Sequence, residues 1–449
     1  MRDLKNITGK KRWLRFPFSS RRKATSVQAY KRLIESKREK NRLKLVLPIL
    51  AVLLAIYPLA NLLISARNAA SSVNAVAPAK TVRTEPVKEL NEWQSFQVAA
   101  EALPMARYSS SRLVSRLSNG GMVIYGINRD VQERVRKVMV DYRVPYGVFV
   151  AIEPKTGRIL AMASHSSLDP QWEKRSYYDI YPMASLFKIV TAAAALEQKR
   201  VTPETVVAFG GKLTSENPRY WCRPGRRPQQ MDLTTAMGKS ANPIFGRLAG
   251  ELVGRDCMVS SAERFGFNQL LFPGTALPPS KAQLPQNTTE LMLMGAGLCH
   301  EVKISPIHAA AVMAGLANGG VMMMPVLAEE ITGRDGKPLF TEKPQMVRQV
   351  VTPEIARQLG KMMSSTVSSG TSRKVFHDRR GRAKLSDVSI AAKTGSINGT
   401  SPEGHYTWFA AYAPMNDPQI ALAALVINQG KWKIKASYLG EQALEAFFK

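Results

Sequence analysis

Cysteine and histidine are scarce in this chain of 449 residues, which contains three of the first and five of the second. Cys222, Cys257 and Cys299 allow one disulfide bridge and one free thiol in three ways, and the sequence does not choose among them. His300 and His308 have no cysteine or carboxylate partner at ligand spacing, so we interpret both as structural. The sequence therefore predicts no metal centre and at most one disulfide.

Acidic residues are also few, because 34 Asp and Glu stand against 63 Lys and Arg and give a formal net charge of +29. The excess is concentrated in residues 1–44, which hold 16 Lys and Arg but only three acids. A basic tail of this kind can bind nucleic acid. With an apolar segment beside it, anionic lipid is the simpler partner, and we predict no nucleic-acid ligand.

Charge is absent altogether from residues 45–66, which are mostly apolar. Twenty-two residues at helical rise are enough to cross a bilayer, so we predict one transmembrane helix there. A cleaved signal peptide is disfavoured, since its basic region would be 44 residues long. The basic flank predicts that residues 1–44 are cytoplasmic and that residues 67–449 lie outside.

The remaining chain divides into a stalk or small linker region at 67–120 and a globular domain at 121–449. Strand patterns occur near both ends of the globular domain, at 147–152, 158–163, 389–393, 407–413 and 420–428. Helical patterns occur at 129–142, 181–197, 284–298, 305–316, 352–367 and 438–448. Strands at both ends with a helical block between them predict an α+β fold, with one sheet assembled from distant segments.

The stretch 181–197 organises the rest of the chain. It is predicted to be a single helix that is apolar on all sides and therefore buried. Ser185 and Lys188 lie three residues apart, so they share a face of that helix. A hydroxyl beside a desolvated amine is an activated nucleophile with its own base. The Ser-x-x-Lys pattern alone is weak evidence, because a second copy occurs at Ser20 to Lys23 in the basic tail.

Two further motifs follow in order. Ser240-Ala241-Asn242 begins 55 residues after Ser185, and Lys393-Thr394-Gly395-Ser396 begins 153 residues after Ser240. Each short pattern also recurs elsewhere, at residues 72–74, 215–217 and 155–157. The Lys-Thr-Gly copy at 155–157 falls in a predicted hairpin turn, so we assign it a structural role. Only the ordered set of three motifs is specific.

Together these motifs resemble those of the transpeptidase domain of penicillin-binding proteins, within the acyl-serine group that includes serine β-lactamases. Four further stretches also resemble the sequences of this family, at residues 147–164, 298–325, 350–371 and 406–414. The resemblance covers 121–449. It implies a three-layer fold in which a five-stranded antiparallel sheet lies between helices, together with a mainly helical subdomain.

The resemblance assigns a role to each motif residue. Ser185 becomes acylated, and Lys188 must be neutral to take its proton. Ser240 relays that proton to the leaving amine with help from Lys393. The predicted substrate-binding residues are Asn242, Thr394, Gly395 and Ser396. The backbone N–H groups of Ser185 and Ser396 are expected to form the oxyanion hole.

The implied substrate is a peptidoglycan stem peptide ending in D-Ala-D-Ala, with β-lactams acylating the same serine and no cofactor needed. The implied location is the bacterial plasma membrane, with the catalytic domain outside. Because residues 67–120 cannot hold a glycosyltransferase domain, we expect a separate SEDS-type glycosyltransferase partner. Acyl transfer to water, as in a D,D-carboxypeptidase or β-lactamase, stays open, as does a non-enzymatic β-lactam sensor. The 44-residue tail holds no second domain to transmit a signal, which ranks the sensor low.

Three residues close to the third motif are open to two interpretations. His405, Tyr406 and Trp408 alternate as strand residues do, so cleft lining and sheet packing are equally compatible with the pattern. Residues 397–404, with two Gly and one Pro, are expected to form a flexible loop. The sequence does not choose among elongation, division and spore-type wall synthesis.

Overall fold

The computed structural model describes residues 89–221, 228–271 and 277–449. The predicted basic tail at 1–44, the predicted span at 45–66, the first part of the predicted stalk and Cys222 lie outside these ranges. Within them, no helix is both long and apolar enough to cross a membrane.

Helices and strands alternate irregularly along the described chain. The α-helices are α1 (Glu92–Ala102), α2 (Arg129–Asp141), α3 (Lys188–Glu197), α4 (Leu233–Lys239), α5 (Asn242–Arg247), α6 (Arg255–Arg264), α7 (Thr288–Gly295), α8 (Pro306–Ala317), α9 (Pro353–Ser368), α10 (Arg373–Phe376) and α11 (Ala436–Phe448). Short 3₁₀ helices cover Leu103–Met105, Trp172–Lys174, Ala184–Phe187 and Pro218–Tyr220, and a π-helix covers Leu248–Val253. The strands are β1 (Arg107–Ser109), β2 (Arg112–Arg116), β3 (Met122–Tyr125), β4 (Tyr146–Ile152), β5 (Ile159–His165), β6 (Tyr181–Pro182), β7 (Val206–Phe209), β8 (Gln229–Asp232), β9 (Lys303–Ile304), β10 (Val321–Met323), β11 (Ala328–Thr332), β12 (Pro338–Thr341), β13 (Met346–Gln349), β14 (Ala391–Thr400), β15 (Glu403–Ala413) and β16 (Ile420–Asn428).

A five-stranded antiparallel sheet forms the centre of the fold, in the order β14-β15-β16-β4-β5. It joins the first strands of the predicted domain to its last, as the sequence predicts. Side chains alternate between two buried cores, so that Val148 and Val150 face one side while Phe149 and Ala151 face the other. The first core includes residues of α3 and α8, and the second includes residues of α2 and α11. The sheet therefore lies between two helical layers, which confirms the α+β fold.

A second sheet has the order β1-β2-β3-β11-β12. Its first two strands come from the region predicted as a stalk, and β11 and β12 come from the middle of the chain. The Tyr125 hydroxyl, on β3, donates to the Ala99 carbonyl of α1 at 2.9 Å, which ties the first helix to this sheet. Residues on both sides of position 120 thus share one sheet.

The prediction of one continuous helix over 181–197 is wrong at its start. Residues 181 and 182 form β6, which pairs with β9, and the α-helix begins only at Lys188. Ala184 has φ of +54°, a left-handed conformation that prevents one continuous α-helix from running through this position. The intervening turn is a 3₁₀ helix, in which residues three apart eclipse one another.

Two other predicted boundaries also fail. The helix predicted at 284–298 is shorter, because Asn287 caps it through the Glu290 N–H and it ends at Gly295. The flexible loop predicted at 397–404 is instead strand: β14 continues to Thr400 and β15 resumes at Glu403. Gly399 and Gly404 are paired across these strands, so the glycines sit inside a hairpin and not in a loop.

Candidate active site

The nucleophile candidate Ser185 lies on the short 3₁₀ helix that precedes α3. The segment before it is held from two sides. The Met183 N–H donates to the Val302 carbonyl at 2.9 Å, and the Trp408 indole N–H donates to the Pro182 carbonyl at 2.8 Å. The turn that presents Ser185 is therefore anchored to the central sheet.

Lys188 is fully buried, and its Nζ lies close to three oxygen atoms. It is 2.7 Å from Ser185 Oγ, 2.8 Å from Asn242 Oδ1 and 2.6 Å from the Ala296 carbonyl oxygen. The last two oxygens can only accept hydrogen bonds. A neutral amine has two N–H donors and one lone pair, so two donors go to these acceptors and the lone pair faces the Ser185 hydroxyl.

The electrostatics favour that neutral form. Burial holds the pKa of Lys188 well below its ordinary value, and the nearby charge of Lys393 lowers it further. Burial also lowers the pKa of Lys393 to about 7. Ser185 is thus hydrogen-bonded to an amine that burial shifts toward its neutral, proton-accepting form.

Ser240 and Lys393 form a further contact among the predicted residues. Ser240 ends α4 with φ of +56°, and Lys393 Nζ donates to its Oγ at 2.8 Å and to the Thr394 carbonyl at 2.8 Å. Asp232 caps the other end of α4 through the Thr235 N–H. The sharp turn after α4 brings the second motif against the strand that carries the third.

Asn242 is the first residue of α5 and is nearly buried. Its Nδ2 donates to the Ser215 carbonyl at 3.3 Å, which directs Oδ1 toward Lys188. This contact with Lys188 was not foreseen from the sequence, which suggested only a substrate contact. The structure thus joins the first and second motifs through the Asn242 amide.

The third motif lies on β14, an edge strand of the central sheet. Thr394 and Ser396 are two apart and share its accessible face, while Lys393 points into the protein. A Cβ on Gly395 would stand 3.2 Å from the Ala184 Cβ, so this glycine permits close approach to the nucleophile turn. All three motifs are brought together as predicted.

Three participants were missed by sequence reasoning. The Ala296 carbonyl holds Lys188, and Gly297, at φ of +69°, packs against the nucleophile turn so closely that a Cβ would lie 2.3 Å from the Ala184 carbonyl oxygen. The Thr371 hydroxyl lies 2.6 Å from that of Thr394. The Ser-Gly-Thr ending of residues 350–371 was the available signal for Thr371, whereas nothing local marks Ala296 or Gly297.

Other singled-out residues serve packing. Tyr406 and Trp408 are buried, and the Tyr406 hydroxyl donates to the Pro402 carbonyl, which favours the packing interpretation for both. His308 is buried between Ser280 Oγ at 2.7 Å and the Phe265 carbonyl at 2.8 Å, and burial lowers its pKa to about 4. Cys257 and Cys299 are free thiols.

Comparison with known proteins gives this arrangement a context. The protein from Mycolicibacterium smegmatis named Peptidoglycan D,D-transpeptidase PbpA is 32% identical over 325 residues, which cover 63% of this chain and 62% of that relative. The aligned part is thus slightly less than two-thirds of the relative's length.

Two solved structures are similar in fold and sequence. The crystal structure of PBPA from Mycobacterium tuberculosis has a TM-score of 0.60 and 26% identity, covering 73% of this chain and 82% of that one. The imipenem acyl-enzyme complex of penicillin-binding protein A from M. tuberculosis has a TM-score of 0.59 and 27% identity, covering 73% and 79%.

The catalytic domain also matches a family of known proteins. Residues 147–448 match the family described as the penicillin binding protein transpeptidase domain. This range contains all three motifs and the whole central sheet except the first residue of β4. Because the match spans more than half of the chain, the protein belongs to the penicillin-binding protein transpeptidase family.

Proposed function

We propose that this protein is a peptidoglycan D,D-transpeptidase that acts through an acyl-enzyme on Ser185 and is inhibited by β-lactams. One observation carries the proposal: the Ser185 hydroxyl lies 2.7 Å from the amine of a buried lysine whose other two contacts accept both N–H groups of its neutral form. Relatives named as D,D-transpeptidases and a similar protein captured as an imipenem acyl-enzyme support the same chemistry.

In the first half-reaction, Ser185 Oγ forms a bond to the carbonyl carbon of the penultimate D-Ala while its proton moves to Lys188 Nζ. The negative charge on the carbonyl oxygen is stabilised by the backbone N–H groups of Ser185 and Ser396. Asn242 keeps Lys188 aligned through its Oδ1. The tetrahedral intermediate collapses to an ester on Ser185 as the C–N bond breaks.

The leaving D-Ala amine must gain a proton. Ser240 donates its hydroxyl proton to that amine and takes up the proton that Lys188 received from Ser185, which returns the site to its starting charge. Lys393 meanwhile holds Ser240 Oγ in place. Thr394 and Ser396 offer hydroxyls on the accessible face of β14, where they bind the terminal carboxylate, and the positive charge of Lys393, buried behind the strand, adds a longer-range attraction. Gly395 leaves room for the peptide beside the strand.

In the second half-reaction, an amine of a neighbouring stem peptide attacks the ester and loses its proton through the same groups in reverse. The products are the cross-linked peptide and free Ser185. Attack by water would give hydrolysis, the carboxypeptidase or β-lactamase outcome, from the same intermediate. The choice between amine and water therefore decides the biological role.

Membrane attachment is a further part of the proposal. The uncharged segment at 45–66 and its basic flank support a single span in the bacterial plasma membrane with a cytoplasmic N-terminus. The division into tail, span, linker region at 67–120 and catalytic domain at 121–449 accompanies it, with the end of the linker region contributing β1 and β2 to a sheet that it shares with the domain. A separate SEDS-type glycosyltransferase would supply the glycan strands. Fractionation and protease protection of residues 67–449 in intact cells test the orientation.

The test of the acyl-enzyme uses the full-length protein in detergent with a fluorescent penicillin. We expect a covalent adduct that Ser185→Ala abolishes. Ser20→Ala is the matched control, because it removes the serine of the other Ser-x-x-Lys copy, and it should label like the wild type. Labelling of Ser185→Ala at the wild-type rate would refute the assignment of the nucleophile.

The lifetime of the adduct separates transfer from hydrolysis. An adduct stable for hours supports a penicillin-binding protein, whereas rapid release of hydrolysed penicillin indicates a β-lactamase. A stem peptide supplied with an acceptor amine should then give a cross-linked product detectable by mass spectrometry. Release of only the shortened peptide would identify a carboxypeptidase instead.

A further inference from the structure

A strongly basic hairpin lies next to the candidate active site in the chain. Residues 373–384 contain six Lys and Arg and one acid, Asp378. The backbone turns back on itself here, since the Asp378 N–H donates to the Arg382 carbonyl at 2.9 Å and His377 pairs with Ala383. We call residues 373–384 the basic hairpin.

The basic hairpin is rigidly attached at its base. The Phe376 ring is buried and stacks on Phe409 of the central sheet, with ring centroids 5.6 Å apart. On the other arm, Lys384 Nζ lies 3.1 Å from the buried Glu441 carboxylate of α11. The tip is therefore presented by two fixed arms.

The single acid in the basic hairpin is already engaged. Asp378 Oδ1 accepts the N–H groups of Arg380 and Arg382 at 2.8 and 2.9 Å, and Oδ2 accepts from Arg382 Nε at 2.8 Å. These hydrogen bonds lower the pKa of Asp378, so it stays ionised. Its charge shapes the turn and is matched by Arg382.

The other four cations of the basic hairpin have no acidic partner among the described residues. Arg373, Lys374, Arg379 and Arg380 are all exposed, and none forms an ion pair with an acid in the part of the chain that the structure describes. The Arg373 guanidinium reaches the tip, because a Cβ on Gly381 would stand 3.7 Å from its Nη2. Even with the exposed Asp387 counted, residues 371–390 carry a net charge of +4.

The link from the basic hairpin to the site is short. Thr371, two residues before Arg373, places its hydroxyl 2.6 Å from that of Thr394, and its N–H donates to the Gly238 carbonyl, two residues before Ser240, at 3.0 Å. The unpaired positive charge thus begins beside the strand that receives the substrate carboxylate in the proposed function. Such a concentration of one charge raises the local concentration of oppositely charged ligands and their association rates.

We propose that the basic hairpin attracts and docks anionic peptide substrates beside Thr394, at the edge strand of the central sheet. This inference rests on the proposed acylation of Ser185 and adds a charge selectivity to it. Because the cations are exposed, their effect acts mainly on association and weakens as salt is added. Substrates and inhibitors with more negative charge should therefore acylate the enzyme faster at low ionic strength.

Three penicillins with closely similar side chains test this on the full-length protein: ampicillin, benzylpenicillin and carbenicillin, with net charges of about 0, −1 and −2 at pH 7 from their ionisable groups. The variant is Arg379→Gln/Arg380→Gln, at the tip. Arg112→Gln/Arg116→Gln, exposed cations on β2 of the other sheet, is the matched control for net charge. Arg379→Lys/Arg380→Lys keeps the charge and checks for structural damage.

The tip variant should lose about three- to tenfold in the second-order acylation rate of carbenicillin at 20 mM salt, less for benzylpenicillin and least for ampicillin. The loss should vanish at about 0.5 M salt. The β2 control and the lysine variant should behave like the wild type. Equal rates in the tip variant and the wild type for all three penicillins would overturn the inference while leaving Ser185 acylation intact, and no acylation of the wild type would overturn both.

Anionic membrane lipid is the other ligand that these exposed cations could bind. Binding of the same variants to vesicles containing 30% phosphatidylglycerol distinguishes it. Loss of vesicle binding with unchanged acylation would assign the basic hairpin to lipid and refute substrate docking. Unchanged vesicle binding with slowed carbenicillin acylation supports the proposal.

Discussion

Two copies of Lys-Thr-Gly occur in this protein, at residues 155–157 and 393–395, and their structural environments differ. Lys155 is 68% exposed and forms an ion pair with Asp417 at 3.0 Å. Lys393 is fully buried and donates to Ser240 Oγ and to a backbone carbonyl. Identical residues therefore form a surface ion pair in one place and part of the candidate active site in the other.

The threonines and glycines differ in the same way. The Thr156 hydroxyl contacts Glu153 and the Arg158 N–H within a tight hairpin, and Gly157 has φ of +86°. Thr394 faces Thr371 across the accessible side of an edge strand, and Gly395 lies against the nucleophile turn. Chemistry follows from burial and partners, which the three-residue pattern does not contain.

The largest expected effect comes from replacing each lysine by methionine, which keeps the length and removes the amine. Lys393→Met should slow acylation by about 100- to 10,000-fold, because proton transfer through Ser240 is lost. Lys155→Met should leave the rate unchanged. The measurement is the second-order rate of labelling by a fluorescent penicillin, and equal rates in the two variants would erase the distinction drawn between the copies.

The next largest effect is expected from replacing a glycine of positive φ by alanine. Gly297→Ala should slow acylation by about 100-fold, since the new Cβ would displace the nucleophile turn. Gly157→Ala meets the Met324 carbonyl oxygen with similar crowding and should cost about 1–3 kcal/mol of stability from backbone strain.

Measuring both the acylation rate and the melting temperature of each glycine variant separates a local effect on the active site from a loss of stability. Rate per active molecule, titrated with excess penicillin, should fall only for Gly297→Ala, whereas the melting temperature should fall for both. A normal rate in Gly297→Ala would show that the turn tolerates displacement.

Burial of Lys393 should also make stability depend on pH. Its pKa is about 7 in the folded protein, against 10.5 ordinarily, so between these values the unfolded chain binds more protons. The free energy of unfolding should therefore rise with pH, by up to about 1.4 kcal/mol per pH unit for one such group. Lys188 acts in the same direction.

Denaturant unfolding at pH 7 to 9 checks this. Lys393→Met should reduce the slope of stability against pH, and its stability relative to wild type should be most favourable at or below pH 7. Lys155→Met should leave the slope as it is. Parallel slopes for wild type and Lys393→Met would mean that Lys393 keeps an ordinary pKa.

The smallest effect concerns single hydroxyl groups. Thr371→Val removes the partner of Thr394 and should slow acylation by roughly fivefold, corresponding to about 1 kcal/mol for one hydrogen bond. Thr156→Val should lower stability by a similar amount without changing the rate, because its hydroxyl stabilises only the hairpin. A rate loss in Thr156→Val and none in Thr371→Val would reverse the comparison.

Elements with strong local signals were well predicted from sequence. The strand at 420–428 has the bounds of β16, and the helix predicted at 352–367 begins at Pro353 after a Thr352 cap, as α9 does. The same patterns failed at 181–187, where Tyr181 and Pro182 form a strand and Ala184–Phe187, which include the good helix formers Ala and Leu, form a 3₁₀ turn. There the long-range pairing of β6 with β9 and the left-handed Ala184 override local preference.

The sequence by itself determined the candidates for the chemistry of the three motifs, because their hydroxyls and amines, and the order of these groups along the chain, can be read from residue types and spacing. The tertiary structure alone decided the environment of those residues: Asn242 and the Ala296 carbonyl accept hydrogen bonds from Lys188, and Lys393 is buried while Lys155 is exposed. Local patterns set side-chain identity and strand or helix preference. Desolvation and hydrogen-bond partners come from segments more than fifty residues apart, which only folding brings together.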